Sequence, residues 1–282
     1  MKPFEIEDTY AYCNFNDFIE GKRELSQCMV LYLDEQLVDD TCLQNTLNLH
    51  IKSLQNTINE DIKNDNNFFS AKFLDSVTII FLVYKDDVNN KLAEQIYSLV
   101  KDKTFIFTIS LIEDGLTKSL TQNFKTTINV TQTQFHENKL SITNIINAIW
   151  NSMFYYTLSE NYEDYDKENE IVAEFADIVA LLGDSGTVSY HLIESKISLL
   201  EIVQGIPNII SKISSNCSNY VCIIFEHNNV ELLENLLYIS DNIIEPFYNV
   251  VDDGNGVMYY TYPNKKLLSG CIKVHFFINE LD

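Results

Sequence analysis

The chain has 282 residues, 46% of them hydrophobic and including 16 Tyr and 17 Phe, so it can bury a sizeable core and is not a disordered protein. Its 19 basic and 41 acidic residues give a formal charge of −22, which disfavours nucleic acid and anionic membranes, because phosphate groups bind to basic surfaces. The low counts of 8 Gly and 4 Pro favour helices and longer strands over a turn-dense β-sandwich.

The first half of the chain alternates strands and helices. Its strand-length runs are apolar on both faces, as in a parallel sheet covered by helices on two sides. Strands are predicted at 27–33, 77–84, 105–111 and 126–131. Apolar residues at steps of three and four predict helices at 41–62, 87–100 and about 141–159. This alternation predicts an α/β domain with a parallel, doubly wound sheet.

The second half predicts a smaller α+β domain. Strands are predicted at 187–193, 220–225, 257–262 and 271–278, and helices at 173–182, 198–213 and 230–244. The second of these helices is expected to be interrupted near Gly205 and Pro207. Because the last two strands are close in sequence, we expect them to pair as a hairpin.

Four segments follow from these patterns. No particular structure is predicted for residues 1–25. The doubly wound α/β domain is predicted at 26–140, a long helix and an acidic loop at 141–170, and the α+β domain at 171–282. The N-terminus lacks the apolar core of a signal peptide, and no run is long enough to span a membrane, so a cytoplasmic protein without a transmembrane segment is expected.

The sequence lacks the usual motifs for binding nucleotides or metals. A phosphate cradle needs glycines directly after a buried strand. The turn at 85–90 reads KDDVNN, with no glycine and two carboxylates. The six cysteines form no CxxC pair and are expected to be reduced packing residues, and the five histidines form no cluster at metal-ligand spacing. His191 and His275 are interpreted as core or edge histidines of strands. We therefore expect no cofactor and no metal.

Two groups of acidic residues are candidate sites. Glu174 and Asp177 are three residues apart at a helix start, so they share a face and also suit the helix dipole. The stretch at 160–170 is the densest acidic run, which is typical of a solvated loop and also suits docking of a basic partner. Its acidic residues are Glu160, Glu163, Asp164, Asp166, Glu168 and Glu170.

The element order and two motifs resemble the tubulin/FtsZ superfamily of filament-forming GTPases. Residues 172–178, VAEFADI, are similar to the synergy-loop motif NVDFADV of FtsZ. Residues 266–274, KLLSGCIKV, are similar to the closing turn and strand LGDEIRVTV. The resemblance covers roughly residues 75–280. It implies a Rossmann-like GTPase domain joined through a long central helix to a smaller α+β domain.

The departures from the family pattern affect the expected activity. The family has a glycine-rich GGGTGTG loop where this chain has residues 85–90, and its first glycine-rich loop has no counterpart in residues 1–75. In the synergy motif, Val172 replaces an Asn and Glu174 replaces one catalytic Asp. The resemblance therefore implies a degenerate relative that has lost GTP binding, whose Glu174 and Asp177 could still face a neighbouring subunit.

Three functions remain open from the sequence. The first is a non-catalytic FtsZ-like subunit that binds itself or a filament-forming homologue, in cell division or the cytoskeleton. The second is a divergent GTPase using Glu174 and Asp177. The third is an acidic decoy or immunity-type binder that captures a basic protein through its charge.

Overall fold

The computed structural model describes residues 28–34, 37, 79–101, 105–116, 124–137, 141–158, 175–182, 186–195, 199–211, 220–228, 236–251, 256–264, 267–268 and 270–280. These residues form two compact units, and the chain passes from one to the other between Ile146 and Asn147. Helix α3, Ser141–Leu158, spans this division.

The first unit contains a four-stranded parallel sheet with strand order β1-β2-β3-β4. Its strands are β1 (Cys28–Tyr32), β2 (Ile79–Lys85), β3 (Phe105–Ile112) and β4 (Thr126–Thr131). Its helices are α1 (Asp86–Val100) and α2 (Gln132–Glu137), followed by the start of α3. The predicted strands of this half are confirmed, and the predicted helix at 41–62 lies outside the described residues.

The core of this sheet covers β2 on both faces. Residues 79–84 are fully buried, so β2 packs on both faces and reads as a continuous apolar run. Phe81 stacks on Phe107 of β3 on one side, with ring centroids 5.4 Å apart. On the other, Tyr84 and Tyr97 of α1 both contact the ring of Phe124.

The second unit contains a four-stranded mixed sheet with strand order β5-β8-β6-β7. Its strands are β5 (Gly186–Ser195), β6 (Val221–His227), β7 (Val257–Pro263) and β8 (Ile272–Glu280). Its helices are α4 (Phe175–Leu182), α5 (Leu199–Ile210), α6 (Leu236–Ile239), a π-helical turn (Ser240–Ile244) and α7 (Glu245–Tyr248).

Two expectations for this half are wrong. The last two strands do not form a hairpin: β7 pairs in parallel with β6, and β8 lies between β5 and β6, antiparallel to both. Their proximity in sequence is overridden because β8 buries both faces at the centre of the sheet. Helix α5 also continues through Gly205 and Pro207 rather than breaking there.

One face of the second sheet carries the apolar core of this unit. Phe225, Val274 and Phe276 belong to a buried cluster to which α5, the π-helical turn and α7 contribute. Phe247 of α7 stacks on Phe276 with ring centroids 5.4 Å apart. Burial of two aromatic rings in one contact makes this a principal source of stability for the unit.

Two smaller expectations can be checked in the same residues. Cys222 and Cys271 are free thiols and buried, as expected of packing cysteines, and His275 is a buried core histidine. No helix in the described part of the chain is long and apolar enough to cross a membrane.

Candidate functional site

The carboxyl ends of β1–β4 form the edge of the first sheet at which α/β proteins usually bind ligands. Leu33 and Asp34 follow β1, and the backbone N–H of Leu33 donates to the carbonyl of Val83 at 2.8 Å, so the pairing with β2 continues past the end of β1. The carboxylate of Asp34 forms an ion pair with Lys85, and its Oδ2 lies 3.0 Å from Lys85 Nζ. Both side chains are about four-fifths buried, at 19% and 20% exposure.

Strand β2 runs directly into α1, with no loop between them. Lys85 is the last residue of the strand and also the residue before α1, with extended backbone angles and no side-chain cap. Asp86 and Asp87 form the first turn of α1, and Asp86 is only 3% exposed. The N-terminal N–H groups and dipole of a helix attract anions. Here the chain places its own carboxylates at that position.

The end of β3 is acidic too. Both carboxylate oxygens of Asp114 accept hydrogen bonds from Thr133, one from its backbone N–H at 2.9 Å and one from its hydroxyl at 2.7 Å. These hydrogen bonds hold the pKa of Asp114 below its ordinary value. Asp114 therefore anchors the start of α2 rather than a ligand.

The start of α2 is a capping box. The backbone N–H of Gln134 donates to the hydroxyl of Thr131 at 3.2 Å, and the side chain of Gln134 accepts from the backbone N–H of Thr131 at 2.9 Å. Residues 131–134, TQTQ, match the capping-box signature in the sequence, although no helix start is predicted there from the apolar pattern. The turn after β3 is thus hydrogen-bonded to the start of α2, which follows β4, through Asp114 and Thr133.

The predicted acidic candidates are only partly visible. Glu174 and the run from Glu160 to Glu170 lie outside the described residues. Asp177 lies in the first turn of α4 and is half-buried. Burial chiefly, with the charges of Cys222 and Asp177, raises the pKa of Tyr260 on β7. Asp177 therefore lies near the sheet of its own unit. Among the described residues there is no group of three metal-ligating side chains.

No protein-family model matches the chain, and no curated protein matches its sequence. Solved structures do match. The "FtsZ dimer, empty" of M. jannaschii is 12% identical, with a TM-score of 0.55 over 78% of this chain and 67% of that one. The FtsZ W319Y mutant from the same organism is 12% identical, with a TM-score of 0.54 over 74% and 68%. GDP-bound monomeric CetZ1 from Haloferax volcanii is 8% identical, with a TM-score of 0.50 over 80% and 71%.

The fold is tubulin/FtsZ-like. At these identities the likeness establishes the architecture and nothing about activity. The expected α/β class of the tubulin/FtsZ-like type is thereby confirmed. Within this fold, the described carboxyl edge of the parallel sheet carries Asp34 after β1, Lys85 at the end of β2, and Asp86 and Asp87 at the start of α1.

A second polar cluster, which sequence reasoning did not predict, lies within the sheet of the second unit. Glu226 Oε2 lies 3.0 Å from His275 Nε2, and His275 Nδ1 lies 3.0 Å from the hydroxyl of Tyr190. The other carboxylate oxygen of Glu226 accepts from the side-chain amide of Asn264. We call Tyr190, Glu226, Asn264 and His275 the buried polar network.

The electrostatics of this network make Glu226 a carboxylate. Burial raises its pKa, but the hydrogen bond and charge of His275, with smaller effects of Lys273 and Asn264, lower it to about 2. Burial, and then the charge of Glu226, raise the pKa of Tyr190. Since Glu226 is ionised, the proton in its contact with His275 lies on Nε2. These groups come from distant strands, so no local spacing in the sequence reveals them.

Proposed function

We propose that this protein is a non-catalytic tubulin/FtsZ-like subunit that acts by protein–protein interaction in the cytoplasm, binding itself or a filament-forming homologue in cell division or the cytoskeleton. The observation that carries the proposal is the occupied carboxyl edge of the first sheet. Asp86 and Asp87 take the helix N-terminus, and Asp34 binds Lys85 beside them.

The charges at this edge oppose phosphate. Like charges about 4 Å apart repel by about 4 kcal/mol at an effective dielectric constant of about 20. A nucleotide phosphate at the start of α1 would meet Asp86 and Asp87, and Lys85 is already paired with Asp34. With no glycine in residues 85–90, backbone N–H groups also lack the close approach that offsets such repulsion.

The fold supports the interaction part of the proposal. One matching FtsZ structure is described as a dimer. Glu174 and Asp177 are then candidates for contact with a neighbouring subunit, and the acidic run from Glu160 to Glu170 for contact with a basic surface.

The partner is tested by co-sedimentation with filaments of an FtsZ-like protein, beside size-exclusion chromatography of the chain alone. We expect the chain to pellet with the filaments, to change their assembly, or to elute as an oligomer. A strict monomer that leaves assembly unchanged contradicts the proposal. Repeating the binding at low and moderate salt separates a charge-driven decoy, whose affinity collapses because exposed charges are screened over about 10 Å at 0.1 M.

A double substitution tests where the contact lies. Asp177→Asn with Glu174→Gln removes both acidic charges of the synergy-like segment with little change in shape. If these residues face the neighbouring subunit, co-sedimentation falls, whereas the matched control Asp241→Asn in the π-helical turn leaves it unchanged. Equal binding of both variants would remove Glu174 and Asp177 from the interface.

A further inference from the structure

The turn after β3 contains an Asp-Gly sequence, Asp114–Gly115. In this four-residue turn the backbone N–H of Leu116 donates to the carbonyl of Glu113 at 3.2 Å, and Gly115 has a φ of 87°, as type II turns favour at their third position. Asp114 and Gly115 are both exposed, and a Cβ at Gly115 would meet no atom within 4 Å. Water therefore reaches this dipeptide, and no neighbouring atom crowds the glycine.

An aspartate followed by a glycine can rearrange through a cyclic imide, because a glycine has no Cβ to hinder attack by its backbone nitrogen. When the carboxyl of Asp114 is protonated, the nitrogen of Gly115 can form a bond to its Cγ. The carboxyl hydroxyl then leaves as water with the N–H proton. A second water adds to the backbone carbonyl carbon of Asp114 and breaks its bond to nitrogen, which leaves isoaspartate with a free α-carboxylate. No oxidant or other co-reactant is consumed.

Thr133 of α2 opposes the first of these steps. Its backbone N–H donates to Oδ1 of Asp114 at 2.9 Å and its hydroxyl donates to Oδ2 at 2.7 Å, so both carboxylate oxygens accept a hydrogen bond. These two bonds chiefly hold the pKa of Asp114 below its ordinary value, with burial opposing them and with smaller lowering effects of Thr131 and His136. An ionised carboxylate has no hydroxyl to lose, and an oxygen bonded to Thr133 must leave it before departing as water.

We propose that Asp114 is a site of isoaspartate formation, which the two hydrogen bonds of Thr133 suppress in the folded chain. In isoaspartate the backbone runs through the former side chain, so the carboxylate that Thr133 binds is no longer in place. The turn after β3 then loses its hydrogen bonds to α2. The same contact therefore fastens this turn and protects its dipeptide from chemical ageing.

The test compares two substitutions of Thr133 in the full, folded chain kept at mildly acidic pH. Thr133→Val removes the hydroxyl and keeps the shape of the side chain, whereas Thr133→Ser keeps the hydroxyl and is the matched control. Peptides with aspartate and isoaspartate at residue 114 are separated by chromatography and assigned by electron-transfer fragmentation. Loss of one hydrogen bond is expected to speed isoaspartate formation by about threefold or more in Thr133→Val. Thr133→Ser is expected to react at the rate of the parent.

Two comparisons separate a folded-state effect from the chemistry of the dipeptide itself. The chain's other Asp-Gly sequence, Asp253–Gly254, lies outside the described residues and is the internal reference, whose rate should be the same in all three proteins. In urea the three proteins should react equally at Asp114, and faster than the folded parent. Equal rates in the folded parent and Thr133→Val overturn the proposal. If Thr133→Val does not fold, the parent decides alone, because a folded parent that reacts as fast as the unfolded chain overturns it too.

Discussion

The ionised Glu226 makes the stability of the second unit depend on pH. Its pKa is about 2 in the folded protein, against an ordinary value of 4.5. A carboxylate whose pKa is lowered on folding stabilises the protein above the unfolded pKa, and this stabilisation is lost as the pH falls through the folded pKa. Lowering the pKa of Glu226 by about 2.5 adds about 3 kcal/mol to the free energy of unfolding, at about 1.36 kcal/mol per pKa unit.

The perturbation is Glu226→Gln, which keeps the shape of the side chain and removes the titration. Above about pH 5 the variant is expected to be less stable than the parent by about 3 kcal/mol. The difference should shrink as the pH falls from about 4.5 towards about 2, because protonation then removes the charge from the parent as well.

Urea unfolding followed by tryptophan fluorescence measures this effect. The chain has a single Trp, and Trp150 is buried within the second unit, so the signal reports that unit. Glu245→Gln, at an exposed glutamate of α7, is the matched control and should leave the pH dependence unchanged. The reasoning is refuted if Glu226→Gln and the parent lose stability in parallel as the pH falls.

Three further predictions concern packing and capping. A Cβ at Gly205 would lie 2.7 Å from Cδ1 of Ile193, so Gly205→Ala should cost about 1 kcal/mol alone but gain about 0.5 kcal/mol in an Ile193→Val background, where helix propensity dominates. Urea titrations of the four proteins check both signs. Phe247→Ala empties a fully buried site and should lower the unfolding free energy by about 3–5 kcal/mol in the same assay. Thr133→Ala removes the hydroxyl that donates to Asp114, so NMR titration should show the pKa of Asp114 rise towards 3.8. An unchanged pKa of Asp114 would contradict the role given to this hydrogen bond.

The strands of the first unit could be predicted because their information is local. Residues 79–84 are buried on both faces, so the strand appears in the sequence as an uninterrupted apolar run. Helix α1 provides the crossover that a parallel pair of β2 and β3 requires. The turn after β2 was also predictable in its charge, since Asp86 and Asp87 follow the strand directly.

The pairing of β7 and β8 could not be predicted in the same way. The turn residues near Pro263 suggest a hairpin, but β8 lies between β5 and β6, which come much earlier in the chain. Glu226 and His275 are 49 residues apart, and Tyr190 and His275 are 85 apart. No local spacing reveals a contact over such a separation, and the histidine alone reads as an ordinary core residue.

The most direct test of the central claim is isothermal titration of GTP with Mg²⁺ into the full chain at high protein concentration, beside a nucleotide-binding protein of the same fold. The occupied edge at Asp34, Lys85, Asp86 and Asp87 predicts only heat of dilution for this chain, while the reference protein gives a saturable signal. A saturable heat of binding in this chain would contradict the claim and support a divergent GTPase using Glu174 and Asp177.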